Sequence, residues 1–174
     1  MVKGLQRSLS RGSAGRQEVI KQTIKVNRAS MTVDGATGIG FGTLVIGDLP
    51  DGNILLLGAV AYFSFAGAGG QATLSDTWNG DFSVGTAPNA DTSLAAAEID
   101  IIGSTPTTVA VAEVSPRTRG VSVTATNAAI IDNTDGALEL NLNLLIDDAD
   151  IGADDLVFLV TGELYLAYVV LGDD

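Results

Sequence analysis

A two-residue alternation of apolar and polar side chains recurs along this sequence. Between residues 138 and 144, every second residue is leucine, while Glu139, Asn141 and Asn143 occupy the positions between. Alternation of this kind is typical of a β-strand with one buried and one solvated face. A longer run at 156–171 repeats the pattern with leucine, valine and tyrosine, and 20–26 does so with isoleucine and valine. The sequence therefore predicts strands at both of its ends.

Turn signals divide the rest of the chain into further short strands. The run Asp48–Gly52 contains Pro50 and predicts a turn, and the strand predicted after it, 54–65, is apolar on both faces. Such a strand lies at the centre of a sheet or at an interface between sheets or subunits. We expect a short helix or an irregular crossover at 93–97. Further strands are expected at 43–46, 73–78, 80–85, 98–102, 109–114 and 121–126.

Eight or nine strands at such spacings predict an all-β fold, namely an antiparallel β-sandwich that resembles a jelly roll. We expect it to form one domain of residues 17–174, with an extended basic arm at residues 1–16. The chain has 174 residues with 21 glycines, and 17% of its residues are charged. This composition suits short strands and tight turns better than long surface helices.

Residue types exclude several kinds of chemistry. The chain has no cysteine and no histidine, which excludes disulfides, thiol nucleophiles and serine–histidine pairs. No lysine follows Lys25, so residues 29–174 contain no lysine that could form a Schiff base. The glycines of 35–42 precede a strand rather than a helix, unlike a nucleotide-binding loop. Paired acids such as Asp76/Asp81 and Glu98/Asp100 lie in turn-like segments. We therefore predict no catalytic residues, no cofactor and no enzymatic activity.

Charge divides the chain into two parts. Residues 1–28 contain seven Lys and Arg and one acidic residue, a net charge of +6, whereas residues 29–174 contain two Arg and 20 acids, a net charge of −18. A basic arm on an acidic body is typical of an interaction protein. The acidic body would repel DNA, so we expect no nucleic-acid partner. The longest apolar run, 54–66, is too short to span a membrane, and residues 1–16 lack the apolar core of a secretory signal.

The arm contains the residues expected to bind a partner. Its basic and apolar side chains recur at spacings that suit one or two turns of an amphipathic helix, which is too short to be stable alone. A solvated tail is the alternative interpretation. The residues predicted to bind a partner are Lys3, Leu5, Arg7, Leu9, Arg11 and Arg16.

Five aspartates crowd the segment between the last two predicted strands. Oxygen-rich loops of this kind bind hard cations such as calcium, but the spacing does not match an EF-hand. An acidic face for a basic partner is another interpretation. We expect a solvated turn that keeps a hydrophobic hairpin soluble, and no metal site. The residues are Asp147, Asp148, Asp150, Asp154 and Asp155.

One segment resembles a known family. Residues 81–94 and 97–105 have the form "SxGTxxxADxxL…xEaDIIxST", which is similar to a segment of small virion structural proteins of tailed bacteriophages. The run 162–170, which ends near Gly172, is similar to their last strand. The resemblance implies a capsid decoration (cement) protein, which lies on the outer surface of an icosahedral head as an oligomer. No catalytic residues accompany the resemblance.

These observations lead to one expected function and two alternatives. The protein is expected to bind the major capsid protein as a homo-oligomer, a trimer in preference to a dimer, and to stabilise the head by bridging capsomers. One alternative is a virion-surface module that binds glycans or the host, in which Trp78 would stack on a sugar. The other is a calcium-stabilised secreted β-domain.

Overall fold

The computed structural model describes residues 18–35, 39–68, 78–109, 118–121, 130–146 and 155–172. Within them lie nine β-strands and a short 3-10 helix, Ala96–Glu98. No helix among these residues is long and apolar enough to cross a membrane. The strands are β1 Ile20–Asp34, β2 Gly40–Asp48, β3 Gly52–Gly67, β4 Trp78–Gly85, β5 Ile102–Val109, β6 Thr118–Val121, β7 Ile130–Asn133, β8 Glu139–Ile146 and β9 Leu156–Gly172.

The strands form one antiparallel sheet that nearly closes into a barrel. Their order is β5-β4-β8-β2-β1-β9-β3-β6, and β7 pairs with β3 beside β6. The two ends of this order meet, because the hydroxyl groups of Thr107 in β5 and Thr118 in β6 are 3.2 Å apart. Gly120 in β6 lies so close to Ile102 and Phe82 that a Cβ atom there would be 2.7 Å from Ile102 Cγ2 and 3.1 Å from Phe82 Cζ. The all-β prediction is confirmed, whereas the finer prediction of a sandwich or jelly roll is not.

The core fills the interior of the barrel and follows the predicted alternation. Leu140, Leu142 and Leu144 are fully buried, and each contributes about 1.5–3 kcal/mol through the apolar surface it removes from water. Rings from opposite walls meet in the interior: the Phe63 and Phe82 centroids are 5.9 Å apart. The alternation seen in the sequence thus identifies the side chains that hold the barrel walls together.

Two local predictions are wrong. The segment 98–102 is predicted as a strand, but strand β5 begins only at Ile102, after the 3-10 helix. The expected solvated face of β8 is also wrong at Asn141 and Asn143, which are 2% and 0% exposed. Residues 86–101, here called the clamped loop, include the mispredicted segment and cover Asn143 on the outer face of β8. The position of this loop depends on hydrogen bonds to residues distant in the sequence. Of the strands predicted at 73–78, 109–114 and 121–126, only Trp78, Val109 and Val121 lie within the described residues.

Candidate interaction surface

Most of the side chains singled out in the sequence lie outside the described residues. This holds for Lys3, Leu5, Arg7, Leu9, Arg11 and Arg16, and for the acidic residues Asp147, Asp148, Asp150 and Asp154. Asp155 is described and exposed, immediately before β9. No group of three or more metal-ligating side chains occurs within the described part of the chain.

Trp78 is a core residue. Its side chain is 1% exposed, and its ring packs edge-on against Phe158, with centroids 5.4 Å apart. Its indole nitrogen is buried and has no hydrogen-bond partner. A buried ring offers no face on which a sugar could stack, so this geometry argues against the glycan-binding alternative.

A row of outward-facing side chains crosses four neighbouring strands. Lys25 of β1 pairs with Glu163 of β9, Glu163 pairs with Tyr62 of β3, and Tyr62 pairs with Arg119 of β6. Directly paired residues in antiparallel strands share a face of the sheet. Lys25 and Arg119 are exposed, whereas Phe63, beside Tyr62 in β3, points inward and is fully buried. The row therefore lies on the outer wall of the barrel.

A second row lies beside the first and is apolar. Tyr165 of β9 pairs with Thr23 of β1 and Val60 of β3, and its ring packs edge-on against Tyr62 at 6.4 Å. Tyr165 is 40% exposed, and nearby Leu57 is 51% exposed. An open groove of about 540 Å³ follows this row. Two of the residues that line the groove are small, namely Gly58 of β3 and Ala167 of β9, which pair with each other.

The cations of the described residues gather on this wall. Lys21 lines the groove. Arg28 is exposed at the bulge of β1 opposite Thr161. The backbone N–H of Arg28 donates a hydrogen bond to the Thr161 hydroxyl. Lys21, Lys25, Arg28 and Arg119 are the four Lys and Arg of the part of the chain that the structure describes. We call the outer surface of β1, β9, β3 and β6 that contains them, with Tyr62, Tyr165 and Glu163, the basic face.

One end of the barrel is acidic. There β2 ends at Asp48, which pairs with Glu139, the first residue of β8. Two turns, 49–51 and 134–138, are held together at this end, since the Asn133 side chain donates to the carbonyls of Leu49 and Pro50 at 3.2 and 2.9 Å. We call this the acidic end; its exposed acids are Asp48, Asp51, Asp132, Asp135 and Glu139. Thr134 donates hydrogen bonds to Asp132, which hold the pKa of that carboxyl below its usual value.

The segment that carries the family resemblance forms the clamped loop and its flanking strands. Asn143 of β8 holds the loop from beneath: its Oδ1 accepts from the Asn89 backbone N–H at 2.9 Å, and its Nδ2 donates to the carbonyls of Ala87 and Glu98 at 3.1 Å. Gly85 begins the loop where the backbone of Ala97 leaves no space for a Cβ. The conspicuous residues of this segment therefore shape a surface loop.

Asp100 closes the clamped loop on its other side. Its carboxylate accepts from the backbone N–H and the hydroxyl of Thr86, at 3.0 and 2.6 Å. Burial raises the pKa of the Asp100 carboxyl, although the hydrogen bonds from Thr86 oppose the shift. Glu98 turns away, and its side chain accepts from the Ala95 N–H at 2.8 Å. The sequence pair Glu98/Asp100 thus stabilises loop structure.

Sequence reasoning found only part of the basic face. The alternation at 20–26 already places Lys21, Thr23 and Lys25 together on a wet strand face. Arg119 carries no comparable signal, because its position depends on the register of β6 against β3.

Compared with protein-family models and with curated proteins, the chain matches none.

Proposed function

We propose that this protein is a structural virion protein that binds the outer surface of a phage head as an oligomer and stabilises the capsid by bridging capsomers. The observation that carries the proposal is the basic face, a surface of tyrosines and cations that suits contact with other protein subunits. Apolar and cationic side chains adjoin there, as they do in protein–protein interfaces, which are enriched in Tyr and Arg. The basic segment 1–16 leads into β1, the strand that contributes most of its cations.

The family resemblance adds the identity of the partner. The segment 81–105 has the pattern of decoration proteins, and its clamped loop is a hydrogen-bonded surface loop of this barrel. In the proposed arrangement, residues 1–16 lie along the capsid. Lys3, Arg7, Arg11 and Arg16 would pair with acidic groups there, and Leu5 and Leu9 would add apolar contact. The partner is the major capsid protein.

Stabilisation would follow from selective binding. A protein that binds only the expanded, closed shell favours that state by mass action. Each copy of an oligomer raises the effective concentration of the others at the surface, so modest single contacts give high avidity. Heads with bound protein are then expected to open at a higher temperature than bare heads.

The jelly-roll form of the barrel is part of this proposal. If the sheet folds between β1 and β2 and between β5 and β6, then β1, β9, β3 and β6 would form one layer and β2, β8, β4 and β5 the other. Apart from β4 and β5, which share a layer, successive strands of these eight would alternate between layers as in a jelly roll, and β7 would extend the first layer. Ring contacts such as Phe63–Phe82 would join the two layers.

The test is binding to purified phage heads by full-length protein and by two variants. Deleting residues 1–16, or replacing the four arm cations by Glu, should abolish co-sedimentation with heads while circular dichroism remains that of an all-β protein. The matched control, Asp155→Lys, reverses an exposed charge outside the arm and the basic face, and should retain binding. Unchanged head occupancy for both arm variants would refute a capsid-binding role for the arm.

A further inference from the structure

Charged side chains of opposite sign are concentrated on two surfaces of the described structure, although the exposed acids Glu18, Asp34, Asp91 and Asp155 lie outside the acidic end. The four described cations lie on the basic face, where Glu163 is the acid in the middle of their row. The acidic end presents five exposed carboxyl side chains on two turns that Asn133 joins. Surfaces of opposite sign on the same chain are complementary between copies.

We propose that the basic face is the docking surface for a second copy of this chain, which contacts it through its acidic end. This inference rests on the proposed function only in that the decoration protein acts as an oligomer. Lys21 and Lys25 of one copy would face Asp48 and Asp51 of the next. Exposed Leu57 and Tyr165 would be covered at the same contact, which removes apolar surface from water.

The geometry favours a head-to-tail contact over a symmetric one. Two basic faces packed against each other would bring lysines of both copies together, and two acidic ends would do the same with carboxylates. A contact between different surfaces leaves one basic face and one acidic end free after each addition. Such a heterologous contact closes into a ring when the rotation between copies allows it, and three copies would form the expected trimer.

The composition of the face favours a protein partner over a nucleic acid. Glu163 lies within the row of cations, and the neighbouring row is apolar. Phosphate backbones bind through many cations and repel nearby carboxylates, and this chain has a net charge of −12. A surface that mixes tyrosine, leucine and a few cations is suited to a second protein surface that carries carboxylates.

The first experiment exchanges the charges and follows mass by light scattering over a range of concentrations. The face variant Lys21→Glu/Lys25→Glu and the end variant Asp48→Lys/Asp51→Lys should each raise the dissociation constant of the oligomer at least about tenfold over wild type. One chain with all four substitutions should regain the oligomer, because its reversed face again matches its reversed end. Asp155→Lys, which adds positive charge outside both surfaces, should leave the mass unchanged.

Several results would overturn the proposal. They are a wild-type protein that stays monomeric at every concentration, single variants with wild-type mass, or a correctly folded four-site variant that remains dissociated. Loss of the oligomer in the face variant alone would also overturn it, because it would mean that the acidic end is not the partner. Circular dichroism establishes that each variant is folded. None of these measurements involves heads, so they are independent of whether the protein binds a capsid.

A second measurement needs no variants. A mixture of isotopically labelled and unlabelled full-length chains is treated with a carbodiimide, which joins amines directly to contacting carboxylates. We expect cross-links between chains from Lys21 or Lys25 to Asp48, Asp51, Asp132, Asp135 or Glu139. Cross-links between chains that join these acids to Lys3 instead, or no cross-link between chains in an oligomeric sample, would overturn the proposal. Binding of a nucleic acid, seen as a gel-mobility shift, would also overturn the proposal if the nucleic acid competed with self-association of the protein.

Discussion

At the scale of single residues, Asp100 couples the clamped loop to pH. Its carboxylate accepts two hydrogen bonds from Thr86, yet burial raises its pKa above the ordinary value of 3.8. The folded protein therefore holds this proton more tightly than the unfolded chain does. As the pH falls from above the native pKa towards 3.8, protonation of Asp100 stabilises the fold, and below 3.8 the gain is complete.

Replacement of Asp100 by Asn should expose this dependence. Because Asn is neutral at every pH, the free energy of unfolding of wild type relative to Asp100→Asn should rise as the pH falls through that window. Urea denaturation at a series of pH values measures the difference. Asp91→Asn is the control of opposite sign: hydrogen bonds from Ser93 lower the pKa of Asp91, so its contribution is present above 3.8 and is lost as the pH falls. A difference for Asp100 that is constant with pH would contradict the assignment.

At the scale of elements, the clamped loop depends on one side chain of β8. Asn143 is fully buried and bonds the backbone of Asn89, Ala87 and Glu98. Its Oδ1 also accepts from the Thr43 hydroxyl at 2.7 Å. Without this side chain, the Ala87 carbonyl loses its hydrogen bond, and an unpaired polar group at a buried site costs about 1–3 kcal/mol. The Asn89 N–H keeps Thr43 Oγ1 at 2.8 Å, and the Glu98 carbonyl keeps the Ser83 hydroxyl at 2.7 Å.

We therefore expect Asn143→Ala to lower the free energy of unfolding by about 1–3 kcal/mol, mainly through the unpaired Ala87 carbonyl. Asn27→Ala, at an exposed position of β1, should change it by less than about 0.5 kcal/mol. Chemical denaturation compares the two, and hydrogen exchange at the Asn89 N–H should become faster only in the first. Equal stabilities of the two variants would show that the loop does not depend on Asn143.

The same elements show why part of the structure could be predicted from sequence. In β8 and β9 the two-residue pattern is local, so leucines at alternate positions identify both the strand and its buried face. The clamped loop is different, because Asn143 lies far along the chain from the backbone groups it binds. Glu98 and Asp100 match a strand pattern locally, but their hydrogen bonds to Ala95 and Thr86 shape a loop. Long-range hydrogen bonds and strand register leave no local signature.

At the scale of the whole molecule, the barrel gathers its described cations on one wall, and the sequence shows only part of this charge pattern. The contrast between residues 1–28 and 29–174 is visible by counting charged residues. The gathering of Lys25 and Arg119 in one row is not, because it follows from the order β1-β9-β3-β6 and the register of each pair. A basic face and an acidic end on one body give the molecule a direction, which the proposed head-to-tail association uses.

The three lysines of the chain allow the two proposed contacts to be separated in one measurement. Lys3 lies in the arm, and Lys21 and Lys25 lie on the basic face. In dilute protein, amine-reactive acetylation should modify all three. In the oligomer, docking of an acidic end should protect Lys21 and Lys25 while Lys3 stays reactive, and on heads Lys3 should become protected as well. Mass spectrometry of peptides gives the extent at each site. Protection of Lys3 in the free oligomer would mean that the arm ties copies together, and protection of Lys21 and Lys25 on heads alone would assign the basic face to the capsid.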